Sequence, residues 1–237
     1  DKLYPSMTAK LQFLKDSSLT NFKMNRALDY VFANWNTATD AGALMDLLGK
    51  AKQEPTDVFE DAGDVGTRIH GYRKDYFDAM IQGTPGPATS FIPAHDPDVR
   101  VVSAMRAIEK FVTELNYVPI VSELPVYSAR YNVAGCIDDI GLLGNDVVLL
   151  DLKTSNRHKD SYWYQVAGYC SMLRECAHIF PRRCLILKVS KEDGTYSLEE
   201  FSPSEVTKMM AALMNMNKSL EKVASLRKDN QKNVVTL

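Results

Sequence analysis

The stretch VAGCIDDIGLLGNDVVLLDLK, residues 133–153, constrains this chain more than any other. Two short apolar runs, 134–142 and 146–153, flank Gly144-Asn145, a dipeptide suited to a two-residue hairpin turn. A helical pattern follows at 160–177, then two more strand-like runs at 183–190 and 196–202. An earlier strand is expected within 119–132, where apolar and polar residues alternate imperfectly. Strands that pause for a helix and then resume predict a mixed central sheet flanked by helices, the α/β class.

The first half reads as helical. Ser6, after Pro5, is placed to cap a first helix carrying Met7, Leu11 and Leu14. Further helices are predicted over 22–35, 40–52, 57–80 and 97–116. Within 57–80, Val65, Ile69, Tyr72, Tyr76 and Met80 recur at three- and four-residue intervals, the period of one amphipathic face. Gly63, Gly66 and Gly71 lower helix propensity there, which suggests close approach by another element or a break near Gly63. Residues 82–95 are rich in proline and glycine and read as a loop. Ser202-Pro203 with Glu205 opens a last helix, 203–226, and the tail after Arg227 is expected to fray. No linker composition separates the halves. The expected organisation is a helical region, 1–117, packed on or arching over a core, 118–237, in one compact unit.

Lysine and arginine total 28 against 30 aspartate and glutamate, a formal charge of −2. No global basicity advertises nucleic acid, although a local groove can be positive within a near-neutral total. Cys136, Cys170, Cys176 and Cys184 form no CxxC pair, so disulfides are not expected, and Cys136 and Cys170 read as small core residues. No apolar run approaches the roughly 18 residues of a membrane span.

The chemistry gathers in the hairpin. Asp151 and Lys153 are two apart on a strand and should project from the same face. A turn at Gly144-Asn145 sets Asp138 across the ladder from Asp151, while Asp139 should face the other way. Two carboxylates and one ammonium between apolar strands are costly unless a cation joins them. A partly exposed Asp151–Lys153 ion pair at a sheet edge is the plainer alternative. Glu123, on the first strand, is a metal ligand or a salt-bridge partner.

Four short motifs occur in order: Gly66-Thr67…His70, Gly135…Asp138, Asp151…Lys153 after twelve intervening residues, and Gln165…Tyr169. With the opening YPSMT they resemble the PD-(D/E)XK nucleases over roughly residues 4–202, in the branch containing the RecB nuclease domain, Cas4 and the mitochondrial genome-maintenance exonuclease, including phage-encoded members. The resemblance implies a restriction-endonuclease-like sheet and a Mg²⁺ or Mn²⁺ centre held by His70, Asp138, Asp151 and the carbonyl of Leu152. It implies that Lys153 positions or activates the attacking water, and that Gln165 and Tyr169 line the cleft. Tyr162 and Trp163 are candidate base-stacking surfaces, and Arg157, His158, Lys159 and Lys188 are candidate backbone contacts. Cas4-like members also hold an iron–sulfur cluster on one upstream and three late cysteines. No cysteine here precedes Cys136 or follows Cys184, so no cluster is expected.

The function so implied is metal-dependent DNA hydrolysis, as an exonuclease on single-stranded or free ends in recombination, repair or replication. A recombination or replication protein would be its partner and no membrane its site. Alternatives are a structure-specific endonuclease and a catalytically weak end-binding module. The expected setting is the cytoplasm, that of a host cell for a phage-encoded chain, or the mitochondrial matrix.

Overall fold

The computed structural model describes residues 3–11, 18–155 and 160–232. Internal contacts divide the chain into two units, residues 14–71 and residues 1–13 with 72–237. The smaller unit holds α2 (Ser18–Asn34), a 3-10 turn at Trp35–Thr37, and most of α3 (Ala41–Ile81), which runs unbroken past the division. Arg26 on α2 and Glu54 on α3 form an ion pair within it.

Two helices were expected where α3 is one helix of 41 residues. Pro55 lies inside it and removes one helical N–H, yet the helix does not stop. Leu47, Ala51 and Pro55, spaced four apart, are all buried, so one apolar stripe continues through the proline. Nor does the helix break at Gly63. A Cβ at Gly63 or Gly71 would meet nothing within 4 Å, so those two glycines mark no close approach.

The larger unit is built on a five-stranded sheet in sequence order. Its strands are β1 (Tyr117–Ser128), β2 (Val133–Leu143), β3 (Asp146–Lys153), β4 (Arg183–Val189) and β5 (Tyr196–Phe201). β3 and β4 are parallel and the other neighbouring pairs antiparallel. This is the mixed sheet flanked by helices that the sequence predicts. The β2–β3 turn falls at Gly144-Asn145, with Gly144 at φ 61°, the left-handed conformation that a tight hairpin asks of its first central residue.

A parallel pair needs a crossover, and α5 (Asp160–Ala177) supplies it. It packs on β1, β2, β3 and β4, while α4 (Val99–Leu115) packs on β1, β4 and β5. The last helix, α6 (Pro203–Lys232), lies along α5 and extends past the expected end near 226. Its start is a capping box in which Ser202 N donates to Glu205 Oε2 at 3.1 Å and the Glu205 amide returns to Ser202 Oγ. At the other end of the chain, Ser6 Oγ caps α1 (Met7–Lys10) by accepting from Ala9 N at 3.1 Å.

β3 is buried from Val148 to Leu152, which explains its continuous apolar run and makes Asp151 stand out. Cys170 is buried as expected. Cys136 is exposed instead, because β2 turns that position outward between buried Val133 and Ile137.

Candidate functional site

Asp138 and Asp151 are neighbours on adjacent strands. The β2–β3 register ends at Asp139 against Leu150, and Asp138 Oδ2 accepts from the backbone N–H of Leu152 at 2.7 Å. Asp151, 1% exposed, has Oδ2 at 2.7 Å from Lys153 Nζ, so the two side chains share a face as their spacing requires. The ion pair is therefore present, and it is nearly buried rather than at an exposed edge. Burial alone would push the Lys153 ammonium down, but the Asp151 and Asp138 carboxylates outweigh burial and hold it above the ordinary lysine value. Lys153 is a fixed cation.

From Lys153 a polar chain runs onto α5. Lys153 Nζ donates to Gln165 Oε1 at 3.0 Å, and Gln165 Nε2 donates to the Tyr169 hydroxyl at 2.8 Å. The Tyr169 ring lies so close to β2 that a Cβ at Gly135 would fall 2.5 Å from its Cε1. Gly135 thus lets the second and fourth motifs meet. Burial pushes the Tyr169 phenol well up, against the amide of Gln165 and with Asp151 and Asp138 adding to the rise. Tyr169 is a neutral hydrogen-bonding group.

One ligand atom each from His70 on α3, Glu123 on β1 and Asp138 on β2 lies within 4.8 Å of the others. Glu123 stands opposite Asp138 in the β1–β2 register, between the pairs Ser122–Asp139 and Leu124–Ile137. Its φ of 53° is left-handed, a conformation costing a non-glycine residue about 1–3 kcal/mol. That local strain turns a side chain out of the strand's alternation. Glu123 is a member of this cluster and also the ion-pair partner of Arg73. Asp151 is not in this cluster.

Arg73 was missed from the sequence. It has no solvent exposure, and its Nη1 donates to the Asp138 carbonyl oxygen at 2.6 Å. The available signal was its place on α3, one turn beyond His70 and on the buried stripe with Ile69 and Phe77. Cys136, read from the sequence as a core residue, instead lies beside Glu123. Its Sγ sits 3.3 Å from Glu123 Oε2, and burial, then Glu123, push the thiol up to about 11.

The donor set suits a divalent cation. One imidazole and two carboxylates are ligands that Mn²⁺ and Mg²⁺ accept, the nitrogen favouring Mn²⁺. A bond to one carboxylate oxygen does not exclude a metal at the other. The charges agree: Glu123, Asp138 and Asp151 face two cations, Arg73 and Lys153, leaving one net negative charge before a metal is added.

The remaining candidates lie apart from this cluster or outside the description. Tyr162 lies beside Lys153, its ring centroid 4.9 Å from Nζ. Trp163 packs tilted against Phe201, ring centroids 4.1 Å apart, and donates to Glu199 at 3.0 Å, and Lys188 pairs with the same glutamate. Lys188 is the register partner of Lys153 on the parallel strand. Arg157, His158 and Lys159 lie outside the described residues. No described helix is long and apolar enough to cross a membrane.

No family model matches the chain, and no curated protein matches it. Among solved structures, LHK-Exo in complex with dAMP is 14% identical, covering 68% of this chain and 87% of that one, with a TM-score of 0.35. The alkaline exonuclease LHK-Exo from Laribacter hongkongensis has the same identity and coverage and a TM-score of 0.33. SSO0001 is 11% identical over 54% of this chain and 64% of that one, with a TM-score of 0.28.

Proposed function

We propose that this chain is a divalent-metal-dependent nuclease that hydrolyses DNA phosphodiester bonds, acting as an exonuclease on single-stranded ends. The observation that carries this reading is the convergence, at Asp138, of the His70–Glu123–Asp138 cluster with the Asp151–Lys153–Gln165–Tyr169 chain. His70, Glu123 and Asp138 would hold Mg²⁺ or Mn²⁺, with Asp151 and the Leu152 carbonyl completing the set. A metal held there would polarise the scissile phosphate and lower the pKa of a bound water.

The protein's own groups account for the rest. Lys153, a cation held between Asp151 and Gln165, orients the attacking water and offsets the charge that builds on phosphate oxygens. Gln165 keeps the ammonium aimed, and Tyr169 fixes Gln165. The Tyr162 ring beside Lys153 offers a surface on which an unpaired base can stack. The near-neutral total charge leaves little to grip a long duplex and favours a short single-stranded contact.

The test is digestion of 5′- and 3′-labelled single-stranded and duplex oligonucleotides with Mg²⁺, Mn²⁺ or EDTA, beside Lys153→Ala. Metal-dependent shortening from one end, lost in the variant, is expected. Cuts in closed circles would make the protein an endonuclease. Binding without cleavage under either metal would leave an end-binding module and sink the nuclease reading.

A further inference from the structure

Arg73 is the largest fully buried side chain among the described residues, and a buried arginine needs partners that repay its desolvation. Its partners lie at the candidate metal centre. Nη1 donates to the Asp138 carbonyl oxygen at 2.6 Å and contacts Ser122 Oγ at 3.5 Å, while Nη2 pairs with Glu123 Oε1. The guanidinium also lies 5.5 Å from the Phe77 ring centroid, which limits its own movement. One rigid fork thus grips the backbone of one cluster member and the carboxylate of another. Glu123 is the residue that most needs such a hold, because its left-handed backbone is intrinsically disfavoured. Lysine has one nitrogen and could not span both partners in this way.

We propose that Arg73 is a positioning residue that fixes Glu123 and Asp138 in the geometry of a divalent-metal site, acting through those two residues and not on the ion. The proposal rests on the reading of His70, Glu123 and Asp138 as metal ligands. Arg73 follows His70 by three residues on α3. The cation on Arg73 also offsets two carboxylates that would repel each other before an ion arrives.

The test is Mn²⁺ uptake by the full chain, followed through the paramagnetic resonance signal of free Mn²⁺. Wild type is compared with Arg73→Lys, Arg73→Gln, Glu123→Ala and the Glu123→Ala/Arg73→Lys double variant, with near-ultraviolet dichroism reporting the fold. Orienting partners of metal ligands are typically worth about 10- to 100-fold in affinity, so each Arg73 variant should bind Mn²⁺ at least about 10-fold more weakly. In the Glu123→Ala background most of that effect should vanish. A folded Arg73 variant with wild-type affinity overturns the proposal, as does an equal loss in both backgrounds. Failure of both Arg73 variants to fold assigns the residue to the fold alone and also overturns it. A wild type that takes up no Mn²⁺ removes the metal centre itself, an outcome distinct from the others.

Discussion

Nζ of Lys153 donates to Oε1 of Gln165 at 3.0 Å, joining the end of β3 to the second turn of α5. The ammonium sits between this amide and Asp151, so its direction is set from two sides. Lys153→Ala should lower cleavage by about 10²- to 10³-fold, the usual cost of one donor aimed at developing charge. Gln165→Ala should cost less, about 10-fold, because it only loosens the donor. Rates at saturating Mn²⁺ check the order, and equal losses would refute the two roles.

Asp138 joins the cluster to the hairpin, and Asp138→Asn should remove metal uptake while keeping an acceptor for Leu152 N. A ligand at 100 times its Kd stabilises by about 2.7 kcal/mol, and each kcal/mol is worth about 2–4 °C in Tm at this chain length. Mn²⁺ should therefore raise the melting temperature of wild type and not of the variant, as scanning calorimetry with and without EDTA would show.

On the far side of β2, Tyr117 donates its hydroxyl to Asp139, which has no solvent exposure. Phe77 and Phe111 pack on the tyrosine with ring centroids 5.7 and 5.1 Å away. Tyr117→Phe keeps that packing but leaves a buried carboxyl without its donor, at a cost of about 1–3 kcal/mol. Tyr117→Phe combined with Asp139→Leu should recover part of the loss, since both polar partners then go together. Urea unfolding of the single and double variants decides it.

How much of this was legible in the sequence depended on range. The hairpin, its turn and the same-face pairing of Asp151 with Lys153 follow from period-two geometry and one glycine, and the order of strands and helices follows from where the periodicity changes. The sequence reads as two helices, 40–52 and 57–80, where α3 is one: Pro55 between them is a local stop signal, and a buried stripe that continues through it overrides that signal. Arg73 escaped because an arginine on an amphipathic face reads as surface, and only its partners on β1 and β2 make burial tolerable. The outward turn of Cys136 likewise depends on the neighbouring strand and leaves no mark in the residues beside it. The left-handed turn at Glu123 has no local sequence cause and belongs to the same long-range set.

Glu175 on α5 ties down the β1–β2 turn. Ser128 Oγ donates to Oε2 at 2.5 Å, and the amides of Ala129 and Arg130 donate to Oε1 at 2.8 and 3.2 Å. Burial alone would raise the carboxyl, but these donors outweigh it and hold it below the ordinary value of 4.5. A depressed folded pKa gives stability that is present above the unfolded value and lost as pH falls through the folded one. Glu175→Gln should cost about 1 kcal/mol at neutral pH. The gap to wild type should close below 4.5, and a gap that persists in acid would show that the charge is not the cause.

Gly135 decides whether α5 can reach the hairpin at all. A Cβ there would lie 2.5 Å from Cε1 and 3.2 Å from Cδ1 of Tyr169, and 3.4 Å from Cε of Met172. The aromatic ring cannot bend away from such a contact, so Gly135→Ala must push Tyr169 outward and drag its hydroxyl from Gln165. Overpacking of this kind costs about 1–3 kcal/mol. Cleavage should fall with it, because Lys153 loses the partner chain that holds it. Adding Tyr169→Leu to Gly135→Ala removes the clash but not the missing hydroxyl, so stability should return while activity stays low. Recovery of both together would show that Tyr169 fills space between β2 and α5 and has no part in holding Gln165.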